Sequence, residues 1–127
     1  MATVVTILED HKGMTTPRVS GDEYFVDVLV DMDAYPGTDD VGILVNAADC
    51  GLSTIHQVMV TGQDTFTGLV VPEVLSTGSY TTNTGSGATA STTSFCLNVL
   101  HEVSNQIAEH TGTTDYGSVR CRVYGLL

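Results

Sequence analysis

From Tyr24 to Met32 the chain alternates without a break. Tyr24, Val26, Val28, Val30 and Met32 fall on one face, and Phe25, Asp27, Leu29 and Asp31 fall on the other. A period of two sustained this long describes a strand and fits no helix. It predicts one face packed on a core and the other, carrying Asp27 and Asp31, turned to water, because a buried carboxylate without a partner is costly. The pattern continues through an acidic loop from Asp33 to Asp40, where Pro36 and Gly37 signal a turn. A short apolar strand (Gly42 to Val45) follows, then one helical turn capped by Asn46 and a bend that Gly51 allows. A second alternating strand runs from Thr54 to Val60.

The rest of the chain reads the same way. Thr3 to Glu9 is a first strand. Asp10 to Gly21 is rich in turn residues, and residues 1–21 read either as an extended N-terminal arm or as a strand followed by an ordinary loop. Thr61 to Asp64 reads as a hairpin turn, and Phe66 to Leu75 as a strand that Pro72 demotes to an edge or a bulge. Ser76 to Ser94 contains twelve Ser or Thr and three Gly, with no charge, and is expected to be a long polar loop. Phe95 to Val103 supports a strand or a helical stripe; the strand is favoured, with a helical turn near Gln106 to His110. Ser118 to Leu126 closes the chain with Val119, Cys121 and Val123 inward and Arg120, Arg122 and Tyr124 outward. Short strands separated by turns and little helix predict a single all-β domain over residues 1–127. The expected form is a jelly-roll-like sandwich or barrel of about eight short antiparallel strands.

Charge narrows the function classes. Fifteen acidic and four basic residues give a net charge of -11, and the cations are confined to Lys12, Arg18, Arg120 and Arg122. Nucleic acid and anionic membranes would repel such a chain, so neither is expected as a partner. Three cysteines, Cys50, Cys96 and Cys121, make no paired framework and predict small buried thiols of a protein made in a reducing cytosol. No signal peptide is recognisable, and no apolar run approaches the ~20 residues of a membrane span.

Catalytic and metal motifs fail one by one. His101-Glu102 opens like a zincin helix but lacks the second histidine, and no Cys pair has ligand spacing. Asp31, Asp33, Asp39 and Asp40 offer oxygen ligands, yet Tyr35 and Pro36 break the calcium-loop pattern, which leaves a solvated acidic loop. Gly51-Leu52-Ser53-Thr54-Ile55 begins like a nucleophile elbow, but Ile55 replaces the second glycine, so Ser53 reads as a turn residue. Gly85 to Ala90 fits a phosphate-loop spelling without the strand and helix that give it meaning. Arg120 and Arg122 are expected to be solvated, paired with the Asp27–Asp31 face, or turned to an acidic partner. No catalytic residue, metal or cofactor is expected.

Three segments carry a resemblance. The first joins the strand Tyr24 to Met32, through a Gly-containing loop, to Asn46-Ala47-Ala48-Asp49-Cys50-Gly51-Leu52-Ser53-Thr54-Ile55. The second is the strand His56 to Val60. The third is the loop with Gly112-Thr113-Thr114-Asp115 and the closing strand Val119-Arg120-Cys121-Arg122-Val123-Tyr124-Gly125. Together they cover about half the chain and resemble small head decoration (cement) proteins of tailed bacteriophages. The resemblance implies a jelly-roll-like domain that oligomerises, as a homotrimer or a homodimer, on the outer capsid surface of the virion. There it would bind the major capsid protein and stabilise the expanded shell. Residues 1–19 are the expected contact segment, with Lys12 and Arg18 meeting acidic capsid groups, and removing them is expected to weaken binding without disturbing the fold. The competing expectations are a low-copy tail, neck or fibre-associated β domain and a ligand-binding jelly-roll module.

Overall fold

The computed structural model describes residues 4–32, 43–64, 69–74, 92–103, 106–109 and 117–127. Among these it contains nine strands: β1 (Val4–Ile7), β2 (Arg18–Ser20), β3 (Glu23–Asp31), β4 (Ile43–Asn46), β5 (Thr54–Gln63), β6 (Leu69–Val74), β7 (Ser94–Val103), β8 (Gln106–Glu109) and β9 (Ser118–Leu126). Every pairing among them is antiparallel. One sheet runs β1-β3-β9-β5, with β2 also on β3; the other runs β4-β7-β6, with β8 also on β7. From β3 onward the chain passes to the second sheet at β4, returns at β5, leaves again at β6 and comes back at β9. The fold is the expected all-β, jelly-roll-like sandwich.

The alternation that organised the sequence also organises the core. Val26, Val28, Val30 and Met32 are buried, and Tyr24 packs at the margin of the same cluster. Val119, Cys121 and Val123 of β9 complete this face, in register with Val30, Val28 and Val26. The opposite sheet contributes Ile43, Val45, Val70, Phe95 and Leu97. Each such side chain contributes about 1.5–3 kcal/mol when fully removed from water. Among the described strands β6 ends its sheet, so Pro72 sits on an edge there, as its missing N–H requires.

A four-residue 3-10 turn, Ala47–Cys50, links β4 to β5 and lowers Ala47 and Cys50 into the core. The Asn46 side chain makes no capping bond. The Ala47 amide instead donates to the Thr93 carbonyl at 2.8 Å, which ties the turn to the start of β7. The turn ends at Gly51, whose φ of +76° is left-handed, a conformation glycine adopts without strain.

Several local expectations change. The buried residues of β5 are Ile55 and Val58, three apart, because a bulge between Ile55 and Gln57 inserts a residue and moves the later side chains across the sheet. Thr61 to Gln63 does not turn: β5 continues through a second bulge, with Gly62 opposite Arg120. Gln106–Glu109 is a strand paired with β7, and the helical turn expected there is absent, since the ladder to Leu100–Val103 satisfies its backbone. The segment expected to be an arm or a loop is held in the sheet at two places, β1 against Ile7↔Val28 to Val4↔Asp31 and β2 against Arg18↔Phe25 to Ser20↔Glu23. The acidic Asp33–Asp40 loop, the phosphate-loop spelling at Gly85 to Ala90 and most of the polar stretch lie outside the described residues.

The three cysteines are free and buried, as expected. Burial pushes the Cys50 and Cys121 thiols up to about 12. A thiol raised this far stabilises the fold fully below its ordinary value of 9.0 and loses that contribution as pH climbs toward about 12. The folded protein is therefore expected to leave both thiols unmodified by an aromatic disulfide reagent at about pH 8, where a free thiol reacts readily. Reaction in guanidinium but not in native buffer is the expected readout.

Candidate functional site

The outer face of the five-stranded sheet carries the densest polar arrangement among the described residues. Alternation on β3 sends Phe25, Asp27, Leu29 and Asp31 outward, and alternation on β9 sends Arg120, Arg122 and Tyr124 to the same side. The β3–β9 register then sets Asp27 directly opposite Arg122, and Phe25 opposite Tyr124. Arg18 arrives from β2, paired with Phe25 and one diagonal step from Asp27.

Asp27 is the hub. Arg122 grips it with a two-pronged fork, Nε to Oδ1 at 2.9 Å and Nη2 to Oδ2 at 3.0 Å. Arg18 Nη2 donates to Oδ2 at 2.8 Å. Arg120 Nη2 stands at 3.7 Å from the same oxygen, too far for a hydrogen bond but close enough for attraction. The side chain of Asp27 is only 6% exposed, which corrects the expectation that it faces water. Its own partners, together with Phe25 and Tyr124, shut water out. The Arg18 and Arg122 guanidinium carbons lie 4.5 and 4.7 Å from the centroid of the Phe25 ring, whose neighbour Tyr124 is 5.7 Å away between centroids.

The electrostatics follow from this packing. The Arg122 fork holds the Asp27 carboxyl below the usual carboxylate value, against a desolvation effect of opposite sign, with Arg18 and Arg120 adding to the lowering. The same fork pushes the Arg122 guanidinium upward. Three guanidiniums against one carboxylate leave the cluster at +2, so the remainder of this -11 chain carries -13. Beside the cluster lies a shallow depression of about 280 Å³ lined by Asp27, Thr61, Arg120 and Arg122. Such an arrangement can bind and orient an anionic group.

The other singled-out residues fall elsewhere. Lys12 is exposed in a tight turn that Asp10 organises by accepting the Lys12 and Met14 amides at 2.8 and 3.0 Å. These two backbone bonds, that of Met14 first, lower the Asp10 carboxyl. Arg18, expected with Lys12 to meet acidic partner groups, is engaged within its own sheet on Asp27. Removing residues 1–19 would also remove β1, most of β2 and one ligand of Asp27, so the deletion would disturb the fold. Ser53 is a turn residue, its amide donating to the Leu126 carbonyl at 2.7 Å. Among the described residues no group of three or more His, Cys, Asp or Glu is placed to hold a metal ion. No described helix is long and apolar enough to cross a membrane.

The pairing of Arg120 and Arg122 with the Asp27–Asp31 face, one of the sequence expectations, holds at Asp27; what was missed is that Arg18 joins them and that Asp27 is buried at their centre. The cluster's signal was present in part, as an outward carboxylate on one alternating strand and outward arginines on another, but the register joining them is a tertiary fact. No protein-family model, curated protein or solved structure matches the chain.

Proposed function

We propose that this protein is a virion structural protein that binds the outer surface of a tailed-phage capsid as a decoration protein and stabilises the expanded shell. The observation that carries this reading is the outer sheet face. Phe25, Tyr124, Met59 and three arginines share it, and aromatic residues, Met and Arg are the types enriched at protein interfaces. Such a face is suited to contact with another protein surface. The strands of the resemblance, β3, the turn into β5, and β9, are also the elements that build this sheet. A protein that binds only the assembled lattice stabilises that lattice by linkage, in proportion to the logarithm of its occupancy ratio. Many copies with modest individual contacts suffice.

Lys12, exposed in its turn, is the remaining cation for a contact outside the sheet. Quantitative mass spectrometry of gradient-purified particles tests the function. The expected result is a copy number close to that of the major capsid protein. A few to a few dozen copies would move the protein to the tail or neck, and absence from particles would overturn the virion reading.

A further inference from the structure

We propose that the depression beside the Asp27 cluster is a binding site for a small organic monocarboxylic acid, with the Arg120 guanidinium as the group that receives the carboxylate. Both Asp27 oxygens are already taken, Oδ1 by Arg122 and Oδ2 by Arg122 and Arg18. Arg120 reaches Oδ2 only at 3.7 Å and is 52% exposed. Among the described residues its guanidinium donates no hydrogen bond. Its N–H donors, set in a planar fork, therefore stand beside the cluster without an acceptor from the fold. A carboxylate is the planar partner that such a fork takes with two parallel bonds.

The backbone holds this space open. β5 bulges between Val60 and Gly62, which sets Gly62 opposite Arg120. A glycine there carries no side chain to cover the guanidinium. Thr61, in the bulge, donates its hydroxyl to the Arg120 carbonyl at 3.2 Å and so fixes the strand beneath the arginine. Bulges recur beside binding sites because they re-aim side chains in this way. The result is the depression of about 280 Å³ whose described lining is Asp27, Thr61, Arg120 and Arg122.

Local charge selects the ligand. Over the whole outer face Arg18, Arg120 and Arg122 are balanced by Glu23, Asp27 and Asp31, so the net charge of the face selects nothing. Glu23 and Asp31, however, do not line the depression. Glu23 lies beyond the Tyr24↔Gly125 pair, against His56 at 3.1 Å, and Asp31 is opposite Ser118. Two arginines and one aspartate leave the lining at +1, which a single negative charge neutralises. A phosphate dianion would exceed that and stand against the Asp27 carboxylate. Pockets for drug-sized ligands span about 300–1,000 Å³, so this depression suits a smaller molecule. Met59, outward on β5 opposite Arg122 and 46% exposed, offers an apolar neighbour for the body of the acid. This inference goes beyond the capsid reading and does not depend on it, since the site is tested on the isolated chain and the capsid reading on particles.

Benzoate, a carboxylate on a compact apolar ring, is the probe. It is titrated into the isotope-labelled full chain at neutral pH and constant ionic strength and followed by NMR. The expected result is a saturable shift confined to the Arg120 Nε–H and the amides of Thr61, Gly62 and Arg122. Arg120→Gln is expected to weaken binding by about tenfold or more. Its circular dichroism and melting curve should be unchanged, since the side chain is half-exposed and holds no hydrogen bond. Lys12→Gln removes a cation away from the depression and should leave binding unchanged. Inorganic phosphate should bind more weakly than benzoate. No saturable shift, or equal binding by Arg120→Gln, overturns the proposal. Equal losses in Arg120→Gln and Lys12→Gln would show diffuse attraction in place of a site. Tighter binding of phosphate overturns the choice of a monocarboxylate.

Discussion

Gly125→Ala is expected to cost about 3 kcal/mol or more and to lower the melting temperature by about 10 °C. Gly125 is buried on β9, between Tyr24 on one side and Ile55 on the other. A β-carbon added there would fall inside the Thr54 carbonyl oxygen, 2.8 Å from the Thr54 carbonyl carbon and 3.2 Å from the Ile55 α-carbon. These are backbone atoms of the neighbouring strand, so no side-chain rotation relieves the clash, and β5 must separate from β9 at the point where the bulge begins. The control is Gly62→Ala on the same strand pair. Its added β-carbon would stand 4.0 Å from the Arg120 β-carbon, an ordinary contact, and the expected change is within about 0.5 kcal/mol. Thermal denaturation of the two variants side by side checks both. Equal, small effects would mean that β5 and β9 are not in this register.

Asp27→Ala is expected to cost about 2–3 kcal/mol, since it removes charge-assisted hydrogen bonds to a buried carboxylate but leaves arginines that are a third to a half exposed. The loss exceeds that of a surface ion pair because three guanidiniums are left facing one another, with two of them stacked over Phe25. Asp27→Asn keeps the shape and separates charge from packing. The pH dependence has a definite sign. The Asp27 carboxyl is lowered in the fold, so its contribution is complete above the ordinary value of 3.8 and is lost as pH falls through the depressed value. The gap in melting temperature between the native chain and Asp27→Asn should therefore be constant at neutral pH and close below about pH 3.8. Arg122, raised by the same bond, stays charged across this range, and its shift reports the same interaction rather than a second one. A gap that does not close on acidification would show that the Arg122 fork is not the source of Asp27's stability.

The two variants probe different sources of order, and the difference bears on what a sequence can show. The β3 alternation was legible because burial repeats every second residue wherever one face of a sheet is covered, and Val26 to Met32 needed no partner to be recognised. The same holds for Val119, Cys121 and Val123, and for Pro72 on an edge. The bulge after Ile55 was not legible, because an inserted residue breaks the alternation without leaving a composition signal of its own. The strand at Gln106–Glu109 was hidden for a related reason. Its backbone is satisfied by β7, and hydrogen bonding to a distant partner does not show in local propensity. Gly125 looked like any strand glycine until β5 was placed against it.

The sequence by itself determined the layer and the side: an all-β sandwich with valines inward and charges outward, from period-two burial alone. It also set how few cations there are and on which strands they lie. Only the tertiary structure decided that three of them meet on Asp27. Strand faces follow from local alternation, whereas contact across strands follows from register, and the β3–β9 register depends on residues far apart in the chain. The same register turned a carboxylate expected in water into the buried centre of a cationic face, because three guanidiniums and an aromatic pair replace the water it gave up.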